Sequence, residues 1–356
     1  MSGRRRILFV VPRFHTNLAG AVASLLDAGW DVHVFAATKV KLDDYSRLTP
    51  RFFDKDVEPD EVRAALDEFR PDIALVRDSW ALSDGAWPWF RETGTPVLFY
   101  SLRAEDLTAP GSAKFPDLPC PARVTPNLAW PGGEKDPLAN FLPWPVPIGL
   151  FPAARRPGPL RIICVAKFQQ PRKNQEMLID AVIGLRRPVD VMLVGSSSSM
   201  SEGGDDDRLA RFRAAAASAP PGVRIRLYTD VNFSNMPALF SLQDLCVLCA
   251  RKEPLGMAPL EGMAMGVAPV VSSTAGAARY VRHGETGWHV DPDRPADMVD
   301  VLEPLIDDPQ SVMPVRQAAH RAACEMLSPE VFLDRIEGLW ARREEFILPA
   351  PAATPS

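Results

Sequence analysis

Short apolar runs alternate with stretches of helical periodicity in two separate series, and this alternation narrows the fold more than any other feature of the chain. The first series opens with the apolar run Ile7–Val11. A helical stretch follows from about Leu18 to Ala28, with Asn17 suited to its N-cap and Gly29 to its end. A second strand at Asp31–Ala36, a helix over Glu58–Phe69, a strand over Asp72–Arg77, a short helix around Asp84–Glu92 and a strand at Val97–Tyr100 complete it. The second series begins at Arg161–Ala166 and continues through a helix at Asn174–Leu185, a strand at Val189–Val194, a helix at Asp206–Ala217 and a strand at Val223–Leu227. A helix at Asn235–Leu242 and the apolar run Leu245–Cys249 lead to its centre. Strands that alternate with helices build a parallel, doubly wound α/β sheet, whose ligands sit beyond the C-terminal strand ends. In the first series that rule selects the loops at His15-Thr16-Asn17, Asp78-Ser79 and Ser101-Leu102-Arg103.

A length of 356 residues accommodates two domains of ordinary size. Between Thr108 and Pro159 prolines are dense enough to disfavour helices and central strands. The reading is a first domain over 1–145 with an irregular end, a linker over 146–159 and a second domain over 160–328. Trp130 and Trp144 are expected to pack on the first domain. Helices at Pro295–Ile306, Pro309–Met326 and Pro329–Glu345 close the chain, and the tail to Ser356 reads as disordered.

A net charge of −5 and the lack of a Lys/Arg-rich run give no reason to propose nucleic acid. Arg4-Arg5-Arg6 is the one basic cluster, a solvated leader or a contact for anionic lipid. The apolar run after it is too short for a membrane span or a signal-peptide core, so cytoplasmic residence is the expectation. Cys246 and Cys249 have C-x-x-C spacing, but an offset of three along a strand puts them on opposite faces, where they read as small buried residues. The acidic loop Ser196–Asp207 lacks metal-ligand spacing.

The chemistry concentrates after the run Leu245–Cys249. Glu253-Pro-Leu-Gly-Met-Ala-Pro-Leu-Glu261 leads into Gly-Met-Ala-Met-Gly266 and Val-Ala-Pro-Val-Val271. Proline is tolerated only in a first helical turn, so Pro259 requires a helix starting between Gly256 and Ala258. The N–H groups of Gly256, Met257 and Ala258 then form an electropositive end at the mouth of a sheet, suited to an anion. Glu253 lies just before that end, and Glu261 one turn inside. Taken alone, two such glutamates are ordinarily solvated. Carboxylates also accept from hydroxyls, so a ligand with both phosphate and sugar hydroxyls would use all of these groups. Lys167 ends the first strand of the second series and Lys173 opens the next helix, with Arg172 beside it. Cations around one strand end and a helix N-terminus suit a diphosphate.

These stretches resemble the retaining glycosyltransferases of family 4, which have the GT-B fold. Their signature is two glutamates separated by seven residues, a Met/Ala-rich helix, Gly and a Pro-Val-Val strand, and it is matched here by Glu253 and Glu261. The segment Val-Ala-Lys-Phe-x-x-Pro-Arg-Lys-Asn-Gln is similar to the family's Val-Gly-Arg…Lys motif, with Lys167 in place of its arginine. The resemblance implies two Rossmann-like domains facing a cleft, with a C-terminal helix over 329–346 that crosses back to the first. It implies that Glu253 contacts the donor sugar, that Glu261 contacts the ribose hydroxyls, and that Lys167, Lys173, Arg172, Leu255, Gly256, Met257 and Ala258 complete the donor site. Catalytic roles fall to Glu253, Lys167 and Lys173. His15, read from its own strand end rather than from the family, is either a polar contact counted with them or a structural loop histidine. His15, Thr16, Asn17 and Arg103 are assigned to the acceptor side. The reaction implied is metal-independent transfer, with retention, from a UDP- or GDP-sugar to a hydroxyl on a glycan, lipid, small molecule or protein, with no cofactor. A lipid acceptor would bring peripheral membrane contact. Base recognition falls in the loop Thr229–Phe233.

The match covers about 160–345 and is mostly architectural over 1–150. The family's Gly-rich first loop is replaced by Arg13-Phe-His-Thr-Asn17, its first-domain histidine is missing from Ser101–Asp106, and its Gly-Gly-x-x-Glu becomes Ala275-Gly-Ala-Ala-Arg279. Two other readings therefore stay open: a catalytically silent, sugar-nucleotide-binding partner subunit, and a GT-B sugar-nucleotide epimerase.

Overall fold

A computed structural model of the chain describes residues 4–40, 43–77, 81–100, 123–127, 139–152, 154–196 and 207–349, with the side chains of Thr16, Asn17, Ala81 and Ala139 outside that description. The chain divides into two units, residues 1–145 with 329–356, and residues 146–328.

The first unit is built on β1 (Arg6–Arg13), whose Leu8, Phe9 and Val10 are fully buried. Burial on both faces is what a central parallel strand requires. Around it stand β2 (Asp31–Thr38), β3 (Arg51–Phe52), β4 (Ile73–Val76), β5 (Val97–Tyr100), β6 (Arg123–Thr125) and β7 (Ala139–Phe141), in the order β3-β2-β1-β4-β5-β6-β7, all parallel. The helices of this unit are α1 (Thr16–Asp27), α2 (Pro59–Phe69), α3 (Ala81–Thr93) and, from the far end of the chain, α10 (Pro329–Ala341). Trp340 of α10 meets Trp30 edge to face, with ring centroids 5.2 Å apart.

Several expectations need correction here. The proline-rich stretch is not wholly irregular: β6 and β7 add three residues each to the sheet, at its edge, where proline's missing donor does least harm. Helix α1 begins at Thr16 with His15 as its extended N-cap, two residues earlier than the Asn17 cap expected. After α10 a short 3₁₀ turn, Arg343–Phe346, carries the chain on, and it stays packed as far as Leu348, which is buried against the core under β1 and β4. Trp144 is buried, and its Nε1 donates to the Tyr100 hydroxyl at 2.5 Å, as a packing role requires. Trp130 and residues 350–356 lie outside the described residues.

The second unit has β8 (Leu160–Val165), β9 (Val189–Gly195), β10 (Val223–Thr229), β11 (Leu245–Leu248), β12 (Ala268–Ser272) and β13 (Trp288–Val290), in the order β10-β9-β8-β11-β12-β13, all parallel. Its helices are α4 (Gln175–Leu185), α5 (Asp207–Ala217), α6 (Met236–Ser241), α7 (Met257–Ala264), α8 (Pro295–Asp307) and α9 (Met313–Leu327). Cys246 packs with Ile163, Val194 and Phe240, and Cys249 with the cluster holding Leu178 and Val247, so the two thiols do face opposite sides. Burial raises both well above the usual thiol range.

At the N-terminal edge of this sheet Asp244 is buried between two buried guanidiniums. Arg155 lies 2.9 Å from one carboxylate oxygen and Arg316 3.0 Å from the other. Arg316 also donates to the Gly266 carbonyl at 2.7 Å, and the Arg161 N–H donates to Asp244 at 3.0 Å. One carboxylate thus fastens the entry to β8, the start of β11 and helix α9.

Candidate functional site

In the second sheet the strand order reverses at β8, with β9 on one side and β11 on the other. The loops leaving β8 and β11 therefore open at the same point of the C-terminal edge, where open α/β sheets bind ligands. These two loops carry Lys167, Lys173 and Glu253, and helix α7 after them carries Glu261.

The β8 loop holds Lys167, exposed, whose carbonyl accepts from Gln175 Nε2 at 3.1 Å. Pro171–Lys173 forms a single 3₁₀ turn, and Asn174 then takes a left-handed φ of 54° before α4 starts at Gln175. Lys173 therefore does not open the helix, as expected, but ends a separate turn. The cause is Asn174, a residue type that tolerates this backbone conformation. Its buried amide donates to the carbonyls of Cys249, at 3.3 Å, and Pro292, at 3.1 Å.

The β11 loop is tied to this turn by backbone and side chain. The Arg251 N–H donates to the Arg172 carbonyl at 2.8 Å, and the Arg172 guanidinium donates to the Lys252 carbonyl at 2.6 Å. The Lys173 ammonium forms an ion pair with the Glu253 carboxylate, and Arg172 lies 3.2 Å from the same oxygen. Lys173 and Glu253 are each only 13% exposed, so water screens this pair far less than a surface one. Residues expected to contact separate parts of a ligand are thus brought together.

Gly256 follows with φ 88°, and a Cβ there would lie 2.5 Å from Leu248 Cδ2 and 3.2 Å from Glu253 Cγ, so no side chain fits. Helix α7 then starts at Met257, with Pro259 in its first turn, as the sequence requires. Among the described residues the N–H groups of Gly256, Met257 and Ala258 meet no acceptor. Leu255 is buried, so only its backbone is available, and its carbonyl accepts from the Ala277 N–H at 2.6 Å. The Glu253 carbonyl accepts from the Gly276 N–H at 3.1 Å. The Ala275–Arg279 segment, a departure from the family pattern, thus braces the signature loop through its backbone.

Glu261 stands four residues after Met257 and four before Met265, on the same helix face. Glu261 borders a small apolar recess with Phe233, Met236, Phe240 and Met265. Among the described residues its carboxyl has no cationic partner, and burial pushes it up to about 7. Phe233 comes from the expected base-binding loop, where Asn232 caps a 3₁₀ turn by accepting from the Ser234 N–H at 3.0 Å.

In the first unit, His15 supplies the cap at the end of β1, and Thr16 and Asn17 are in the first turn of α1. Arg103, with Asp78, Ser79, Ser101 and Leu102, lies outside the described residues. A pair that the sequence did not reveal sits beside His15: Arg13 Nε donates to the buried Asp43 at 2.7 Å, bracing the loops after β1 and β2.

A second hidden group underlies the β8 loop. Arg208 on α5 is 1% exposed, donates to the Phe168 carbonyl at 2.9 Å and to Gln175 Oε1 at 3.1 Å, and is ion-paired with Glu176. No local pattern marks either pair, because the partners are about thirty residues apart and meet only in the fold.

Two parallel doubly wound units, one carrying cations and carboxylates at its switch point, define a protein of the GT-B class. The fold is that of sucrose-phosphate synthase from Thermosynechococcus elongatus, with a TM-score of 0.74 at 15% identity over 95% of this chain and 99% of that one. It is equally that of HepE from Anabaena, solved with UDP and glucose, with a TM-score of 0.72 at 17% identity over 95% of this chain and 100% of that one. Residues 151–323 match the family model described as glycosyl transferases group 1. A D-inositol 3-phosphate glycosyltransferase of Pseudarthrobacter chlorophenolicus is 29% identical over 203 residues, 54% of this chain and 44% of the relative. A GDP-mannose-dependent alpha-(1-6)-phosphatidylinositol monomannoside mannosyltransferase of Mycobacterium tuberculosis is 30% identical over 161 residues, 42% of this chain and 40% of the relative. The matched stretch thus spans less than half the length of these curated relatives. Among the described residues no helix is long and apolar enough to cross a membrane.

Proposed function

We propose that this protein transfers a sugar, with retention of anomeric configuration, from a nucleoside-diphosphate sugar to a hydroxyl acceptor, without a metal ion. The observation that carries this reading is the convergence of Lys173, Arg172 and Glu253 in front of the α7 N-terminus at the switch point. Cations and unpaired N–H groups suit the two phosphates, and Glu253 suits the sugar hydroxyls. Glu261, one turn further on, suits the ribose, and the recess beside it, with Phe233 and Met236, suits a base.

In the reaction the bond from the anomeric carbon to the phosphate oxygen breaks, and a bond from the same carbon to the acceptor oxygen forms on the same face. The leaving diphosphate takes the acceptor's proton. Negative charge grows on the diphosphate as the bond breaks, and in this reading Lys167, Lys173 and Arg172 stabilise it, the part a metal ion plays elsewhere. The acceptor falls to the first unit, at the His15 end of β1. Two relatives are named for inositol-bearing acceptors, so inositol phosphates and phosphatidylinositol glycans are the first to try. A phosphatidylinositol acceptor would bring peripheral membrane contact.

The test is transfer from UDP- and GDP-sugars to such acceptors with divalent ions chelated. Product with the donor's anomeric configuration supports the reading. Tight donor binding with neither transfer nor hydrolysis points to the silent-partner alternative, and a changed sugar without transfer points to the epimerase.

A further inference from the structure

We propose that Arg208 is a positioning residue for the diphosphate subsite, acting through Gln175 and the Phe168 carbonyl on the loop that carries Lys167 and Lys173. This rests on the donor-site reading above. Arg208 comes from α5, an element with none of the expected site residues, and its guanidinium is wholly withdrawn from water. Burying a guanidinium is costly, and an apolar side chain would fill the same space at less cost. Its hydrogen bonds show what it holds. One donor goes to the carbonyl of Phe168, the residue after Lys167. Another goes to Gln175 Oε1, while Gln175 Nε2 donates to the carbonyls of Lys167, at 3.1 Å, and Ala166, at 3.4 Å. The remaining contacts are with Glu176, which balances the charge at the start of α4, two residues after the Asn174 reversal. Phe212 lies under the guanidinium at 5.1 Å and packs against Phe168, with ring centroids 6.0 Å apart. Both ends of the 167–175 segment are thereby fixed to one buried cation.

The geometry needs a planar fork. A lysine at 208 has a single ammonium and cannot meet Phe168, Gln175 and Glu176 in the directions a guanidinium does. Arg208 does not contact the proposed ligand, so its effect appears as a change in where Lys167 and Lys173 stand.

The experiment compares wild type, Arg208→Lys, Gln175→Met and the distant exposed control Arg187→Gln, titrating each with UDP and GDP by calorimetry and following unfolding by circular dichroism in parallel. We expect Arg208→Lys and Gln175→Met to remain folded at the titration temperature and to bind the diphosphate about tenfold or more weakly, roughly the worth of one charge-assisted hydrogen bond, while Arg187→Gln binds as wild type. A purely structural role would lower the unfolding midpoint and leave the affinity of the folded protein unchanged, and that result overturns the proposal. If Arg208→Lys does not fold, Gln175→Met decides by the same criterion. Failure of wild type to bind either diphosphate overturns the donor-site reading itself. Wild-type binding with undiminished affinity in Gln175→Met overturns only the role of the relay.

Discussion

The Lys173 ammonium and the Glu253 carboxylate form an ion pair across the switch point of the second sheet, both largely shielded from water, with Arg172 on the same carboxylate oxygen. In the proposed reaction these groups have different duties, Lys173 to the phosphate and Glu253 to the sugar. A donor must therefore separate them, offering phosphate to one and hydroxyls to the other. Glu253→Gln removes the charge that competes for Lys173, so bare UDP or GDP should bind at least as tightly as to wild type. Sugar transfer should fall by about two orders of magnitude or more, the scale seen when one preorganised polar group is lost from a transition state. Calorimetry and initial rates on the same preparation check both halves.

Lys173→Ala should act in the opposite sense on binding. It removes a cation from the diphosphate and leaves Glu253 with Arg172 alone, so diphosphate affinity should fall about tenfold or more. The unfolding midpoint should change little, because Arg172 still neutralises Glu253.

Glu261 predicts a pH dependence. Its carboxyl titrates at about 7 in the folded protein against an ordinary 4.5, because burial disfavours its charge. Between those values the folded protein holds a proton that the unfolded chain has released. Its contribution to stability is therefore full below 4.5 and is lost as pH rises towards 7. Glu261→Gln should accordingly be more stable than wild type at pH values above the folded pKa and lose that advantage in acid. Binding runs the other way: ribose hydroxyls are best accepted by the ionised carboxylate. Wild-type diphosphate affinity should then drop by up to about tenfold per pH unit below the folded pKa, and Glu261→Gln should flatten that profile. Denaturation and titration across the range measure both.

Asp244 tests what holds the second unit together rather than what it binds. Asp244→Asn leaves Arg155 and Arg316 buried without a counter-charge and should cost about 3–5 kcal/mol in urea unfolding. Gly256→Ala should cost about 1–3 kcal/mol through its left-handed backbone and its contact with Leu248.

How much of this was legible in the sequence depends on the range of the interaction. Runs such as Ile7–Val11 and Leu245–Leu248 announce buried parallel strands because every residue is apolar, and Pro259 with Gly256 sets the start of α7 by local sterics alone. Glu253, Glu261 and Lys173 stood out because a motif spaces them, although their pairing did not. Strands β6 and β7 were hidden because three-residue edge strands among prolines have no periodicity to read. That Lys173 ends a separate turn rather than opening α4 is not legible locally, because the left-handed Asn174 depends on the carbonyls of Cys249 and Pro292, far along the chain. Arg13 with Asp43, Arg208 with Gln175 and Asp244 with its two arginines are invisible for the same reason, since any of these residues alone reads as a polar surface residue.

The central claim is that the switch point of the second unit binds a nucleoside-diphosphate sugar. Its most direct test is calorimetric titration of wild type, Glu261→Ala and Lys173→Ala with UDP-, GDP- and ADP-sugars, all divalent ions chelated. The account predicts binding of one of these nucleotides to wild type, with about tenfold or greater loss in each variant at unchanged fold. No binding by wild type, or equal affinity in all three proteins, contradicts it.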